Sequence, residues 1–348
     1  MKRNELIIVD ASQDITVEII QYCKQQFSFK SIHQFKKVDD IAGIDLKSVI
    51  IFVNSVVLLS TDQIVSLSQC ISKYNVPVII YSVFDEDSLS HIVDALELGA
   101  IDIVPAKIFY PTHTQHADQV LFDKLITELR KGSFKFDFTL LRNRIFPESL
   151  DNTVVKSAKR SGLVVIGCDI GGSSSLLGLI PQLPKSFTIP VCILINNNAQ
   201  FLDAFCDRLQ LNSQSSVKRV YGKSVIEPST IYLISANRAP VLDVDSNGIV
   251  SIISNSSYPY DLALKYSIDQ FMFNAADIYG KNTIGVLLGG MQKDGILGLE
   301  QIKRVSGHTI IQSTKSCYLN DRHKFAKKTG CVESSVYLGE MAEKLVSI

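Results

Sequence analysis

Leu163-Val164-Val165-Ile166-Gly167-Cys168-Asp169-Ile170-Gly171-Gly172 is the stretch that decides the fold. A short apolar run stops at glycines, and a helix-like stretch, Ser173–Ile180, follows. That order reads as a buried strand of an α/β sheet ending in a tight turn. A Gly-x-Asp-x-Gly turn after a strand lifts its third residue to the top of the sheet, where hydrolases place a nucleophilic Ser. Here the lifted residue is Asp169. A carboxylate cannot do a serine's work without other changes, so the segment has a hydrolase's geometry and lacks its reacting group.

Outward from this turn the α/β alternation continues. Strands are predicted at Leu163–Ile166, Val191–Ile195, Val217–Val220, Thr230–Leu233, Thr283–Leu288 and Thr309–Gln312. Helices are predicted at Ser267–Tyr279 and Gly295–Val305. Val241–Val244 and Ile249–Ile253 flank Asp245-Ser246-Asn247-Gly248, a hairpin signal. The N-terminal half alternates in the same way. Its strands are Leu6–Val9, Ile32–Phe35, Val49–Val53, Val78–Tyr81 and Ile101–Val104. Its helices are Ile15–Phe27, Asp62–Tyr74, Ser88–Leu98 and Ala117–Leu129. Five strands with crossovers predict a flavodoxin-like, doubly wound domain over residues 1–130, with ligands at the carboxyl ends of its strands. Residues 131–160 have poor periodicity and a basic patch, Lys156–Arg160, and read as a linker. Residues 161–348 form a second domain, doubly wound and Rossmann-like.

A chain of 348 residues has room for two cores. Its formal net charge of zero gives no electrostatic case for nucleic acid or an anionic membrane. No apolar run reaches about 18 residues, so no membrane span is expected. Met1-Lys2-Arg3-Asn4-Glu5 leads into four apolar residues, too few for a secretory signal. The seven Cys residues are scattered, without a Cys-x-x-Cys pair, and read as reduced core thiols of a cytoplasmic protein. No metal site and no cofactor are expected.

The strand ends of the first half resemble a response-regulator receiver domain. Val9-Asp10-Ala11-Ser12 stands where receivers carry a pair of acids. Asn54 stands at the phosphoacceptor Asp, and Ser82 matches the switch Ser/Thr. Gly99-Ala100-Ile101-Asp102 matches Gly-Ala-x-Asp; the family's Lys then falls on Ala106, with Lys107 one position late. The resemblance implies Mg²⁺-dependent phosphorylation, but Ala11 removes a ligand and Asn54 offers an amide, a poor nucleophile. The expectation is a receiver fold that is not phosphorylated.

Residues 161–348 resemble the catalytic domain of the chemotaxis protein-glutamate methylesterase. Ile166–Gly172 lines up with that family's Gly-x-Ser-Thr-Gly-Gly loop. Pro190–Asn198 lines up with its strand ending in Gln-His-Met, and Gly285–Gly295 with its Gly-Met-Gly-x-Asp-Gly loop. Receiver, linker and esterase in this order is the family's architecture. Carried over, the Ser-His-Asp triad becomes Asp169, Asn197 and Asp294. The His position is loose by one residue, but Asn196, Asn197 and Asn198 are all Asn. Asn has no titratable nitrogen near neutral pH, and a triad needs one to take the nucleophile's proton.

Substitutes for the lost groups are thin. Cys168 reads as a packed core thiol. His308 precedes its strand and so lies at the wrong end of the sheet. His323, in Asn320-Asp321-Arg322-His323-Lys324, reads as a surface residue on an exposed helix start. Asp169 with Asp294 would make a poor cation site. The favoured expectation is an inactive methylesterase homologue, a scaffold or regulator whose partners are a chemoreceptor cytoplasmic region or the histidine kinase, with its domains in one fixed arrangement. The alternative is an active hydrolase of chemoreceptor glutamate methyl esters, with ordinary chemistry or with Asp169 as nucleophile.

Overall fold

The computed structural model describes residues 2–11, 15–110, 117–132, 162–254, 260–317 and 319–348. The chain divides into two compact units, one within residues 1–141 and one within 142–348. The expected linker, beyond Lys131 and Gly132, and its basic patch lie outside the described residues.

The first unit runs β1 (Glu5–Val9), α1 (Thr16–Gln26), β2 (Ser31–Phe35), β3 (Val49–Asn54), α2 (Thr61–Tyr74), β4 (Val78–Ser82), α3 (Glu86–Glu97), β5 (Asp102–Pro105) and α4 (Ala117–Arg130). Its strands pair in parallel in the order β2-β1-β3-β4-β5, the flavodoxin-like order. All six residues of β3 are buried, which is why Val-Ile-Ile-Phe-Val reads as a continuous apolar run and does not alternate. Phe122 of α4 meets Phe52 of β3 and Phe109 edge-on, at ring centroid distances of 5.5 and 5.2 Å. Helix α3 begins two residues before the predicted Ser88, because Asp85 Oδ1 accepts the Ser88 N–H at 3.0 Å and caps it. Between β2 and β3 the chain makes only short 3-10 turns, Val38–Ile41 and Leu46–Ser48.

The second unit runs β6 (Leu163–Cys168), α5 (Gly172–Leu179), β7 (Val191–Ile195), α6 (Ala199–Asn212), β8 (Ser216–Arg219), β9 (Lys223–Val225), β10 (Thr230–Ser235), β11 (Val241–Val244), β12 (Val250–Ile253), α7 (Tyr260–Tyr279), β13 (Thr283–Leu287), α8 (Ile296–Arg304), β14 (His308–Gln312), α9 (Asp321–Thr329), β15 (Ser334–Val336) and α10 (Met341–Val346). Seven strands form a parallel sheet in the order β15-β14-β13-β6-β7-β10-β8. From β6 the chain moves to β7 on one side, while β13 pairs on the other. The ends of β6 and β13 therefore lie at a topological switch point, where α/β sheets bind ligands. The hairpin forms as expected: Asp245 Oδ1 accepts the N–H groups of Asn247 and Ile249, both at 2.8 Å, and β11 and β12 join β9 in a small antiparallel sheet.

Helix α6 was not anticipated, although its signal is present. Phe201, Leu202, Phe205, Cys206 and Leu209 are buried at helical spacing, and Asn198 Oδ1 caps the N–H groups of Gln200 and Phe201. Helix α9 corrects another expectation. Arg322 and His323 lie on its buried face, so this helix start is not an exposed one. All seven Cys residues are free. Among the described residues no helix is long and apolar enough to cross a membrane.

Candidate functional sites

In the first unit β1, β3 and β4 bring Asp10, Asn54 and Ser82 to the carboxyl edge of the sheet, all buried. Both oxygens of Asp10 accept from neutral side chains. Its Oδ2 accepts the hydroxyls of Thr16 (2.9 Å) and Tyr81 (2.8 Å), and its Oδ1 accepts the Asn54 amide (3.1 Å). The Asn54 carbonyl oxygen turns away and accepts the Val56 N–H at 3.0 Å. Ser82 Oγ accepts from Ser55 Oγ and from the Phe84 N–H. Burial and the neighbouring Asp10 carboxylate push the Tyr81 phenol above its ordinary range, so it stays a donor. Ala106 is buried at the start of a 3-10 turn, while Lys107 and Ala11 are exposed.

This arrangement does not fit Mg²⁺. The ion wants oxygens with free lone pairs. Here O–H and N–H groups point at both Asp10 oxygens, and Ala11 has no side-chain oxygen to give. Treating the full chain with acetyl phosphate and Mg²⁺ is expected to leave its intact mass unchanged. A phosphoryl adduct mapped to Asp10 or to the neighbourhood of Asn54 would contradict this. Thr16 and Tyr81 were not anticipated; a Tyr inside an apolar strand reads as core from sequence alone.

In the second unit the turn after β6 closes as its glycines require. The Gly172 N–H donates to Asp169 O at 2.7 Å, and Gly171 adopts φ +83°, a left-handed conformation that glycine takes without a Cβ clash. Asp169 does not point freely into solvent. Its Oδ2 accepts the N–H groups of Met291 (3.0 Å) and Gln292 (2.9 Å) and lies 3.5 Å from Arg322 Nη2. Arg322 is 1 % exposed. Its Nε donates to Gln292 O at 2.9 Å, and its Nη1 lies 3.5 Å from Gly167 O. The loop after β13 is shaped around this carboxylate. Gly290 has φ +148°, and a Cβ there would sit 2.6 Å from Asp169 Cβ.

Asp294 lies across the same pocket, near the described start of α7. Its Oδ2 accepts the Ile268 N–H at 3.0 Å and its Oδ1 the Asp269 N–H at 2.9 Å. Burial raises its pKa, while those two N–H groups and Arg322 pull it back. Asp269 is also buried. Its Oδ1 accepts the Gly298 N–H at 2.7 Å, and its Oδ2 has no partner. Burial pushes its carboxyl up to about 7, against the pull of the Gly298 N–H, and the Asp294 charge adds to the rise.

Of the three asparagines, Asn196 lines the pocket together with Asp169, Ser267, Gln292, Asp294 and Arg322. Asn197 Oδ1 accepts the Asn198 N–H at 2.8 Å, and Asn198 caps α6. The position nearest the pocket is therefore one residue before the expected Asn197. Free space in the pocket amounts to about one water molecule.

His323 is a correction. It is fully buried, with Nε2 3.2 Å from Leu287 O and Nδ1 4.0 Å from Cys317 Sγ. Burial and Arg322 lower its pKa to about 3, which makes it a neutral donor to a carbonyl, and the Cys317 thiol is pushed up to about 12. His308 lies at the N-terminal end of β14 beside Glu333, away from the strand ends of the pocket. Cys168 is packed, 1 % exposed. The carboxylate pair expected as a poor cation site faces Arg322, and among the described residues no group of three or more His, Cys, Asp or Glu side chains could hold a metal. Arg322, Asp269 and Ser267 were not anticipated.

Comparisons with known proteins match the part of the chain that carries this site. The CheB methylesterase family model matches residues 164–345, which hold β6, the glycine loop after β13, and α9 with Arg322. A protein-glutamate methylesterase/protein-glutamine glutaminase of Carboxydothermus hydrogenoformans is 29 % identical over 288 residues, 82 % of this chain and 81 % of that protein. One from Lawsonia intracellularis is 26 % identical over 351 residues and covers 97 % of this chain and 93 % of its own. The crystal structure of the Thermotoga maritima CheB methylesterase catalytic domain is 28 % identical, covers 54 % of this chain and 98 % of its own, and superimposes with a TM-score of 0.50. With the Asp169 turn, the Asp294 loop and Arg322 gathered at one switch point inside the matched span, the chain belongs to the CheB methylesterase family.

Proposed function

We propose that this chain is a family member that does not hydrolyse methyl esters and works as a scaffold or regulator in chemosensory signalling. The observation that carries the reading is the state of Asp169. One of its oxygens accepts two backbone N–H groups and faces a buried guanidinium. A carboxylate held this way has its electron pairs drawn toward donors and is a poor attacking group. Nor does a base stand ready. Asn196 lines the pocket where a His would be needed to take a proton, and Ser267, which also lines it, shares it with no imidazole. Acyl transfer through a triad needs a base to deprotonate the nucleophile and an acid to protonate the leaving alcohol, and Asn does neither. In the first unit the donors that point at both Asp10 oxygens and the amide of Asn54 support a second loss, that of phosphorylation.

The expected result is methanol release from a methylated chemoreceptor at the background rate, unchanged in Asp169→Ala. Release above background that Asp169→Ala abolishes would overturn the reading. So would an alkyl or acyl adduct on Asp169 found by intact mass. Asp169→Ser with Asn196→His puts a hydroxyl and an imidazole back beside the retained Asp294. Losing such groups costs about 10⁴-fold or more in working triads, so even a trace of methanol release from this double variant is measurable against the wild type. Partners of the matching chemistry are the methylated helical region of a chemoreceptor or the histidine kinase that docks on it. Affinity capture from the native cell is expected to return one of them.

A further inference from the structure

We propose that the Met291 and Gln292 N–H groups and Arg322 form a carboxylate-binding cradle, and that Asp169 is its resident ligand. The proposal concerns the site itself and holds whether or not the protein turns over an ester.

The cradle is built without help from Asp169. Four backbone N–H groups follow one another in the loop after β13. The first, of Gly289, is taken by Gln312 Oε1 at 2.9 Å, and the second, of Gly290, by Leu319 O at 2.9 Å. The next two, of Met291 and Gln292, converge on one point, which Asp169 Oδ2 fills. Consecutive amides aimed at one point make an anion-binding concavity. Gln312 is itself fixed, since its Nε2 donates to Ser316 O at 2.6 Å. Arg322 is anchored independently through Gln292 O and Gly167 O, and its own N–H donates to Gly290 O at 3.3 Å. Three donors thus keep their directions when the carboxylate is removed. Two amides and a guanidinium in a buried site select an anionic oxygen. With room for about one water beside Asp169, the class of ligand is one small carboxylate.

The probe is formate, added to the full-length chain carrying Asp169→Ala. The Met291 and Gln292 amide resonances are expected to shift saturably with formate and not with chloride at equal ionic strength. The wild type, whose cradle is full, is expected to give no such shift, and Asp169→Ala with Arg322→Met to lose it. The Asp169→Ala thermal midpoint should fall by on the order of 10 °C and recover in part with formate. A folded Asp169→Ala chain that responds to formate no more than to chloride overturns the proposal, as does an equal response in the wild type. Asp169→Asn covers the case in which the Ala variant does not fold, because its amide oxygen still accepts both N–H groups. In that variant the Met291 and Gln292 amide protons are expected to move upfield of the wild type, away from a charge-assisted bond. Unchanged positions would overturn the proposal. The methanol assay reads catalysis and the formate titration reads the cradle, so either can fail alone.

Discussion

Arg322→Met is expected to destabilise the larger unit by about 3–5 kcal/mol, the range for breaking a buried ion pair from one side. The loss is not that of one contact. Arg322 is 1 % exposed and satisfies Gln292 O and Gly167 O as well as facing the Asp169 carboxylate. Methionine fills the volume and leaves the Asp169 carboxylate without its counter-charge and Gln292 O without the Arg322 donor, while Gly167 O keeps the Leu288 N–H at 3.1 Å. Removing the second charge as well, in Asp169→Ala with Arg322→Met, should return a large part of the loss, because no buried charge then stands alone. Amide exchange of β6 and β13 in urea reads this unit by itself, which matters in a chain of two units that need not unfold together. A single variant within about 1 kcal/mol of the wild type would mean that the pair is far better solvated than its burial indicates.

The second large effect is a dependence on pH. Asp269 titrates near 4 in an unfolded chain and at about 7 in the folded one, where it is 2 % exposed and its Oδ2 lacks a partner. The folded protein therefore holds this proton over a window in which the unfolded chain releases it. The contribution is fully present below about pH 4 and is lost as pH rises through about 7. Its size is on the order of 4 kcal/mol for a shift of roughly three units. Asp269→Asn keeps an acceptor for the Gly298 N–H and cannot ionise. Relative to the wild type it should be near neutral at pH 4.5 and should gain steadily toward pH 8. Parallel stability curves for the two proteins across that range would contradict the assignment. Asp294 shifts in the same direction and its charge acts on Asp269, so the comparison reads the pair, with Asp269 as the group removed.

What could be read from the sequence divides along physical lines. Strands buried on both faces announce themselves as apolar runs, so Val49–Val53 and Leu163–Ile166 were legible to within one or two residues. Asp169 was legible because a glycine turn marks the strand end that carries it, whereas Asp294 was named only through the resemblance of its loop to that of the methylesterase family. Arg322 was not legible. Its partners are Asp169, Gly167 and Gln292, far away along the chain, and Asp-Arg-His-Lys has the composition of a solvated helix start. His323 was misjudged for the same reason, since a buried imidazole donating to Leu287 O carries no local mark. The Asn196–Asn198 run was read by chemistry alone. Seeing Asn198 as the cap of an amphipathic helix would have placed Asn196, and not Asn197, nearest the pocket.

The ring of donors around Asp10 makes its history hard to undo. Suppose Asn54→Asp were introduced to regain a phosphoacceptor. The 3.1 Å amide donor to Asp10 would become a second carboxylate at the same separation, in a buried site. Like charges so close force one to keep a proton, and a protonated carboxyl attacks no phosphoryl donor. An added acid at Ala11 would not cure this while the hydroxyls of Tyr81 and Thr16 still point at Asp10 Oδ2. Opening the Tyr81 side alone, by Tyr81→Phe, takes a donor from a buried carboxylate and costs about 1–3 kcal/mol. Each single reversal is worse than standing still. The ring of donors holds Asp10 as it stands, and no single substitution at Asn54, Ala11 or Tyr81 frees both of its oxygens.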